Sequence, residues 1–338
     1  MSLPVAARAA TPQRRAPASA SQIAGARPDV IDTPPTRITP PVNFRVITEG
    51  LRLPEGPIVM KDGSVLVVEV EGGTLSRCTM DGKVEVIAEM GGGPNGAAIG
   101  PDGACYIANN GGFTWAALPN GLKLPSGLGD YKGGFIQRVD LKSGRVDTLY
   151  DSVNGRRLSS PNDLVFDTKG GFWFTDWGKP RDRSVDRGGL YYAKADGSMI
   201  REVIFPLVTP NGVGLAPDGK TIYVTESDPG HLLAGTIGAD GSVPALRLLA
   251  GPGGNTGFDS LKVEADGSVC AATLHKGGIT RITADGTIVE RTPLEDFLTT
   301  NLAFGGSDLR TCFVTLSGRG QLVAIDWPRP GLKPNYVA

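Results

Sequence analysis

One stretch constrains the fold more than any other: Pro210-Asn211-Gly212-Val213-Gly214-Leu215-Ala216-Pro217-Asp218-Gly219-Lys220-Thr221-Ile222-Tyr223-Val224-Thr225-Glu226-Ser227-Asp228. Two short apolar runs flank an Asp-Gly dipeptide, the strongest short-range hairpin signal. A hairpin returns the chain to the face it left, so Asn211 and the acids Glu226 and Asp228 are expected near one another. The unit recurs. It starts at Pro54-Glu55-Gly56 with a turn at Asp62-Gly63, at Pro94-Asn95-Gly96 with a turn at Asp102-Gly103, and at Pro161-Asn162-Asp163 with a turn near Gly170-Gly171. Beyond the first stretch it starts again at Phe258-Asp259-Ser260, turning at Asp266-Gly267, and at Thr300-Asn301-Leu302.

Six such units, mostly 40 to 50 residues apart and holding four strands each, define a repeat architecture. The spacing is that of propeller blades, four antiparallel strands around a channel. The second unit is lengthened by an insertion over 111–134. The sixth is one strand short, and the isolated strand Phe44 to Thr48 can supply it. The predicted fold class is therefore all-β: a six-bladed β-propeller, with the N-terminal strand closing the last blade and hiding both open edges. The propeller is expected over 42–330, with a disordered tail over 1–41 and a short C-terminal tail over 331–338.

Composition removes several function classes. Lys plus Arg (34) balances Asp plus Glu (35), so no basic field points to nucleic acid. No apolar run approaches the roughly 18 residues that a membrane-spanning helix needs. Cys78, Cys105, Cys270 and Cys312 lie far apart in apparent strands without a C-x-x-C pair, and read as small buried hydrophobes in a reducing compartment. Arg14-Arg15 is followed by Ala-Pro-Ala-Ser-Ala-Ser rather than the apolar block of an export signal. An acid-poor leader would also suit a transit peptide, but the expectation is a cytoplasmic chain whose oligomeric state is left open. Gly91-x-Gly93-x-x-Gly96 matches a dinucleotide fingerprint, yet a strand follows it where a helix is required. With only His231 and His275, and no G-x-S-x-G elbow, a Ser-His-Asp triad has little material.

The first strand of each propeller blade lines the axis, so Glu55, Asn95, Asn162, Asn211, Asp259 and Asn301 form a ring. The second strands end beside them with Asp176 and Trp177, Glu226 to Asp228, and His275. Carboxylate and carboxamide oxygens of this kind suit a hard divalent cation. Two carboxylates near one axis would repel unless a cation or proton sat between them. The local alternative is that each Asn caps its own turn. Asn95, Asn162, Trp115, Asp176, Trp177 and His275 are the expected substrate contacts, with the insertion as a lid over them.

Pro54-Glu55-Gly56-Pro57, Ser160-Pro161-Asn162-Asp163-Leu164 with Phe174-Thr175-Asp176, Thr209-Pro210-Asn211-Gly212 with Tyr223-Val224, and Phe258-Asp259-Ser260-Leu261 together resemble the SMP-30/gluconolactonase/regucalcin family. The resemblance runs from about Phe44 to Trp327. It implies a six-bladed propeller that hydrolyses lactones, sugar lactones first, with one divalent cation at the top of the channel. That cation would be Ca²⁺ first, with Mg²⁺, Mn²⁺ or Zn²⁺ as alternatives. By position Glu55, Asn211 and Asp259 match the family's metal ligands, and Asn162 matches the residue that touches metal or substrate. Asp259 is the first choice for the base that activates water, with Asp176, Glu226 and Asp228 in reserve. The chain has Phe258-Asp259-Ser260 where Pro-Asp-Gly is usual in the family, and keeps the carboxylate. The competing readings are a phosphotriesterase on the same site and a non-catalytic propeller plugged by an ion.

Overall fold

The structure, a computed structural model, describes residues 34–40, 42–118, 121, 123–181 and 183–337. Of the tail expected over 1–41, residues 1–33 and 41 lie outside the described residues, and 34–40 are described. No helix occurs among those described.

Strand β1 (Arg45–Thr48) precedes six four-stranded antiparallel sheets. Blade 1 holds β2 (Pro54–Val59), β3 (Val65–Glu69), β4 (Thr74–Cys78) and β5 (Val84–Glu89). Blade 2 holds β6 (Pro94–Ile99) and β7 (Cys105–Asn109), an inserted hairpin of β8 (Thr114–Ala117) and β9 (Lys123–Gly127), then β10 (Phe135–Val139) and β11 (Val146–Tyr150). A small hairpin, β12 (Ser152–Val153) and β13 (Arg156–Arg157), leads to blade 3: β14 (Pro161–Phe166), β15 (Gly171–Asp176), β16 (Gly188–Lys194) and β17 (Ile200–Leu207). Blade 4 comprises β18 (Pro210–Leu215), β19 (Thr221–Glu226), β20 (His231–Thr236) and β21 (Leu246–Ala250). Blade 5 comprises β22 (Gly257–Val263), β23 (Val269–Leu274), β24 (Ile279–Ile282) and β25 (Ile288–Thr292). Blade 6 comprises β26 (Thr299–Gly305), β27 (Thr311–Leu316) and β28 (Gln321–Asp326), and β1 completes it by pairing antiparallel with β28. The inner strands touch in the cyclic order β2, β6, β14, β18, β22, β26 and back to β2, which closes the ring.

The turns explain why the hairpins form where they do. In every blade an Asp after the first strand accepts the N–H two residues on: Asp62 from Ser64, Asp102 from Ala104, Asp167 from Lys169, Asp218 from Lys220, Asp266 from Ser268 and Asp308 from Arg310. Such Asx turns pre-shape the reversal. Apolar faces of adjacent blades then pack on one another. Between blades 2 and 3, for example, Tyr106, Phe166, Phe172, Phe174 and Tyr191 share one cluster. All four cysteines are buried and free.

Both ends of the propeller segment are also fastened. The amides of Thr36 and Thr39 donate to the carbonyls of Ile288 and Arg291, laying residues 36–39 against β25. At the other end Leu332 N–H bonds Val263 O in blade 5, while the Asn335 side chain bonds Phe166 O and the Tyr336 ring meets Phe166 in blade 3. The C-terminal segment thus straps across the lower mouth of the channel. It lines a cavity of about 690 Å³ walled also by Ile58, Ile99, Leu164, Leu215, Leu261 and Phe304. Glu55, Asn211 and Asp259 are absent from that wall, so the cavity lies apart from the polar ring.

Candidate functional site

The ring residues sit where the strand ladder breaks. The pairing of each inner strand with its neighbour slips just after the strand begins: between Glu55 and Ile58, Pro94 and Ala97, Pro161 and Leu164, Pro210 and Val213, Phe258 and Leu261, and Thr299 and Asn301. A bulge frees residues from the ladder and re-aims their side chains. It also lets adjacent blades meet closely. A Cβ on Gly212 would fall 2.5 Å from the Leu261 nitrogen, so glycine alone fits there.

Buried threonines on the second strands pin this geometry. Thr225 Oγ1 accepts from Gly212 N–H at 2.7 Å and donates to Asp259 O at 2.6 Å. Thr175 Oγ1 accepts from Asp163 N–H at 3.2 Å and donates to Asn211 O. Each hydroxyl therefore couples the ring residues of one blade to those of the next.

The side chains at the axis are electrostatically crowded. Glu55 is buried and its Oε2 accepts from Gly56 N–H and Asn301 Nδ2, both at 2.8 Å. Burial pushes its carboxyl up to about 7, with the Asp163 charge adding and those hydrogen bonds opposing. Asp259 is raised well above the carboxylate range by burial first, then by the charges of Glu55 and Asp163, against hydrogen bonding from Asn211 and Ser260. Asn211 donates from Nδ2 to Ser227 Oγ at 3.0 Å, and Ser260 Oγ donates to Asn211 Oδ1 at 3.5 Å. Asn162 Oδ1 and Asp163 Oδ2 are buried without a hydrogen-bond partner. A buried acceptor left unpaired is costly and asks for an explanation.

Among the described residues no group of three or more His, Cys, Asp or Glu side chains is placed to hold a metal ion. A cation here would rest on the carboxylates of Glu55 and Asp259 completed by amide oxygens. The residues fit that role: the unpartnered Asn162 oxygen is an available hard donor, and Glu55 and Asp259 each raise the cost of the other's charge.

The other expected site residues divide. Trp177 is half-buried, and its Nε1 reaches Ser227 Oγ at 3.4 Å, one bond from Asn211. Asn95 is half-buried at its ring position. Trp115 is half-buried on the inserted hairpin, edge-on to Phe113 at 6.1 Å between centroids. His275 is exposed, on a backbone with φ of 66°. Asp176 does different work from that expected. Its carboxylate accepts three backbone N–H groups, from Ser159 at 2.7 Å, Ser160 at 2.6 Å and Gly178 at 3.0 Å. Glu226 similarly accepts from Val208 N–H at 2.8 Å. Glu69 and Asn109 repeat the pattern with Arg52 and Gly93. All four stand opposite a proline that begins the inner strand: Pro54, Pro94, Pro161 and Pro210. These polar ends of the second strands clasp the loop that leads into each of blades 1 to 4. Asp176 and Glu226 are poorly placed as reserve bases because backbone donors already hold them. Asp228 is exposed.

Two axial residues escaped the sequence reading of the site, Asp163 and Lys262, while Asn301 was read as a ring residue without its bond to Glu55. Lys262 Nζ lies 3.7 Å from Asp163 Oδ2 and donates to Asn301 Oδ1 at 3.2 Å. Asp163 was visible as an acid directly after a ring asparagine. Lys262 carried no signal, because only the bulge after Phe258 sets its direction.

Six blades around an axis, with carboxylates and carboxamides gathered at the bulged starts of the inner strands, define a propeller with a polar site at one mouth of its channel. A profile of the SMP-30/gluconolactonase/LRE-like region matches residues 53–318. The chain belongs to that family. It is 28% identical over 243 residues to the lactonase drp35 of Staphylococcus saprophyticus, covering 70% of this chain and 68% of that one. It is 30% identical over 231 residues to the 6-deoxy-6-sulfogluconolactonase of Pseudomonas putida, covering 62% and 76% respectively. Among solved structures, the calcium-binding protein regucalcin of Agrobacterium tumefaciens matches with a TM-score of 0.71 at 19% identity, over 87% of this chain and 97% of that one. A gluconolactonase of Xanthomonas campestris matches at 0.68 and 23% identity, over 88% and 96%. At these identities the structural likeness shows the fold.

Proposed function

We propose that this chain hydrolyses a lactone, of the sugar-lactone class, at a site where Glu55, Asn162, Asn211 and Asp259 hold one divalent cation, Ca²⁺ first among the candidates. The observation that carries the reading is the burial of Glu55 and Asp259 within reach of each other's charge, beside the unpartnered oxygen of Asn162. Buried like charges persist only with a counter-charge or a proton between them. The relatives named as lactonases support the reaction class.

A bound divalent cation would supply Lewis-acid polarisation of the lactone carbonyl. The chain's own groups do the rest. Asp259 accepts a proton as water attacks the carbonyl carbon, and the acyl C–O bond of the ring then breaks. The ring oxygen leaves as a hydroxyl once it regains a proton, giving the hydroxy acid. Asn301 holds the Glu55 carboxylate through its 2.8 Å bond, and Thr225 fixes the Asp259 backbone. Trp177 and Trp115 form apolar walls that turn the substrate's ring toward the axis and limit access of bulk water.

The test is turnover of a panel of sugar lactones, simple aliphatic lactones and a phosphotriester, before and after chelation and with Ca²⁺, Mg²⁺, Mn²⁺ or Zn²⁺ restored. Lactone opening that chelation abolishes and an added cation restores is the expected result. Turnover indifferent to chelation would overturn the cation site, and turnover of the phosphotriester alone would overturn the substrate class.

A further inference from the structure

The ammonium of Lys262 occupies an unusual place. It rises from β22 on the wall of the lower cavity and ends beneath the polar ring, where it faces Asp163 Oδ2 at 3.7 Å, Asn301 Oδ1 at 3.2 Å and Leu261 O at 3.1 Å. Asp163 Oδ2 has no hydrogen-bond partner, so this ion pair is its visible compensation. Asn301 in turn accepts from Leu302 N–H at 2.8 Å and donates from Nδ2 to Glu55. With its oxygen claimed by Lys262 and Leu302, the Asn301 amide can present only its NH₂ to Glu55. One ammonium therefore fixes the orientation of an amide and, through it, a carboxylate of the proposed cation site.

It also fixes the charge. The Asp163 charge acts on both Glu55 and Asp259, and the Glu55 charge acts on Asp259. Fully ionised, these three carboxylates with one ammonium leave a net charge of minus two, the value a single divalent ion neutralises.

We propose that Lys262 is a positioning residue that acts as a resident monovalent cation beneath the ring, holding Asn301 toward Glu55 and setting the site's charge to match one divalent ion. This rests on the cation-site reading above. Removing the ammonium leaves an uncompensated negative charge, which favours a trivalent ion over a divalent one by Coulomb attraction.

The experiment compares the metal-stripped wild-type chain with Lys262→Met, Lys262→Gln and Lys262→Arg. Tb³⁺ binding is read by luminescence, and Ca²⁺ by its competition with Tb³⁺. The ratio of Tb³⁺ to Ca²⁺ affinity is expected to rise on the order of tenfold in the Met and Gln variants, and to stay near the wild-type value in the Arg variant. Lys262→Gln keeps a donor for Asn301, so it isolates charge from hydrogen bonding and serves also if the Met variant does not fold. An unchanged ratio in the neutral variants, with wild-type protein binding both ions, overturns the role of Lys262 alone. A wild-type chain that binds neither ion overturns the site itself, and this inference with it.

Discussion

Glu55 is the residue at which structure and acidity meet most directly. Its carboxyl is raised from an ordinary 4.5 to about 7 by burial. The folded, metal-free chain thus binds a proton more tightly than the unfolded chain. The stability this contributes is complete below about pH 4.5 and is lost as pH rises through 7, a change on the order of 3 kcal/mol. In the chelated protein, the melting temperature of wild type relative to Glu55→Gln is expected to fall between pH 5 and pH 8. A difference that stays flat across this window would mean that Glu55 meets no desolvation cost. Glu55 and Asp259 were legible because they occupy repeat positions where a turn former is not needed. Asp163, Asn301 and Lys262 were not legible as a group. Their meeting depends on three blades converging, and on bulges whose direction no local pattern records.

Among the elements, the inserted hairpin of β8 and β9 has an anchor of its own. Lys179, fully buried, donates to Asn110 O at 2.7 Å and Gly112 O at 2.9 Å, with its ammonium 3.5 Å from the Phe113 ring centroid and 4.5 Å from that of Tyr131. Burial pushes the Lys179 ammonium down to about 7. The two carbonyls and two ring faces favour the charged form and hold the base of the insertion to blade 3. Farther out, Lys123 pairs with Glu71 at 2.8 Å, so the insertion reaches from blade 2 to the rim of blade 1. In Lys179→Met, trypsin cleavage at Lys123 and Lys132 is expected to speed up about tenfold as the segment opens locally. Unchanged cleavage would show that the outer contacts alone hold it. Hairpins and their Asp turns could be read from the sequence because each is local. At the ends of the second strands, Asp176 and Glu226 were read as free to act on the substrate or its water. Asp176 and Glu226 clasp the loop leading into their own blade, a partner that only the strand register brings opposite.

At the scale of the whole molecule the ring is closed by chain ends, and this was readable from a simple count: the sixth unit lacked a strand and Phe44 to Thr48 had no hairpin partner. A chain beginning at residue 51 would leave the edge of β28 unpaired beside the exposed flank of blade 1. It is expected to aggregate or lose most of its soluble yield. Soluble protein with an unchanged melting curve would defeat the closure argument. The strap at 331–337 left no comparable trace in the sequence, since a short polar and apolar mixture gains its meaning only from the cavity it crosses. Closure matters to function because it brings Glu55 beside Asn301, 246 positions away in the chain, and gathers the starts of six strands at one mouth. The central claim is that Glu55 and Asp259 share one cation there. Its most direct test is the divalent metal content per chain of purified wild-type, Glu55→Ala, Asp259→Ala and Asn95→Ala protein. The prediction is one ion per chain in the wild type and in Asn95→Ala, and none in Glu55→Ala or Asp259→Ala, with all four folded. Full occupancy in either carboxylate variant would contradict it.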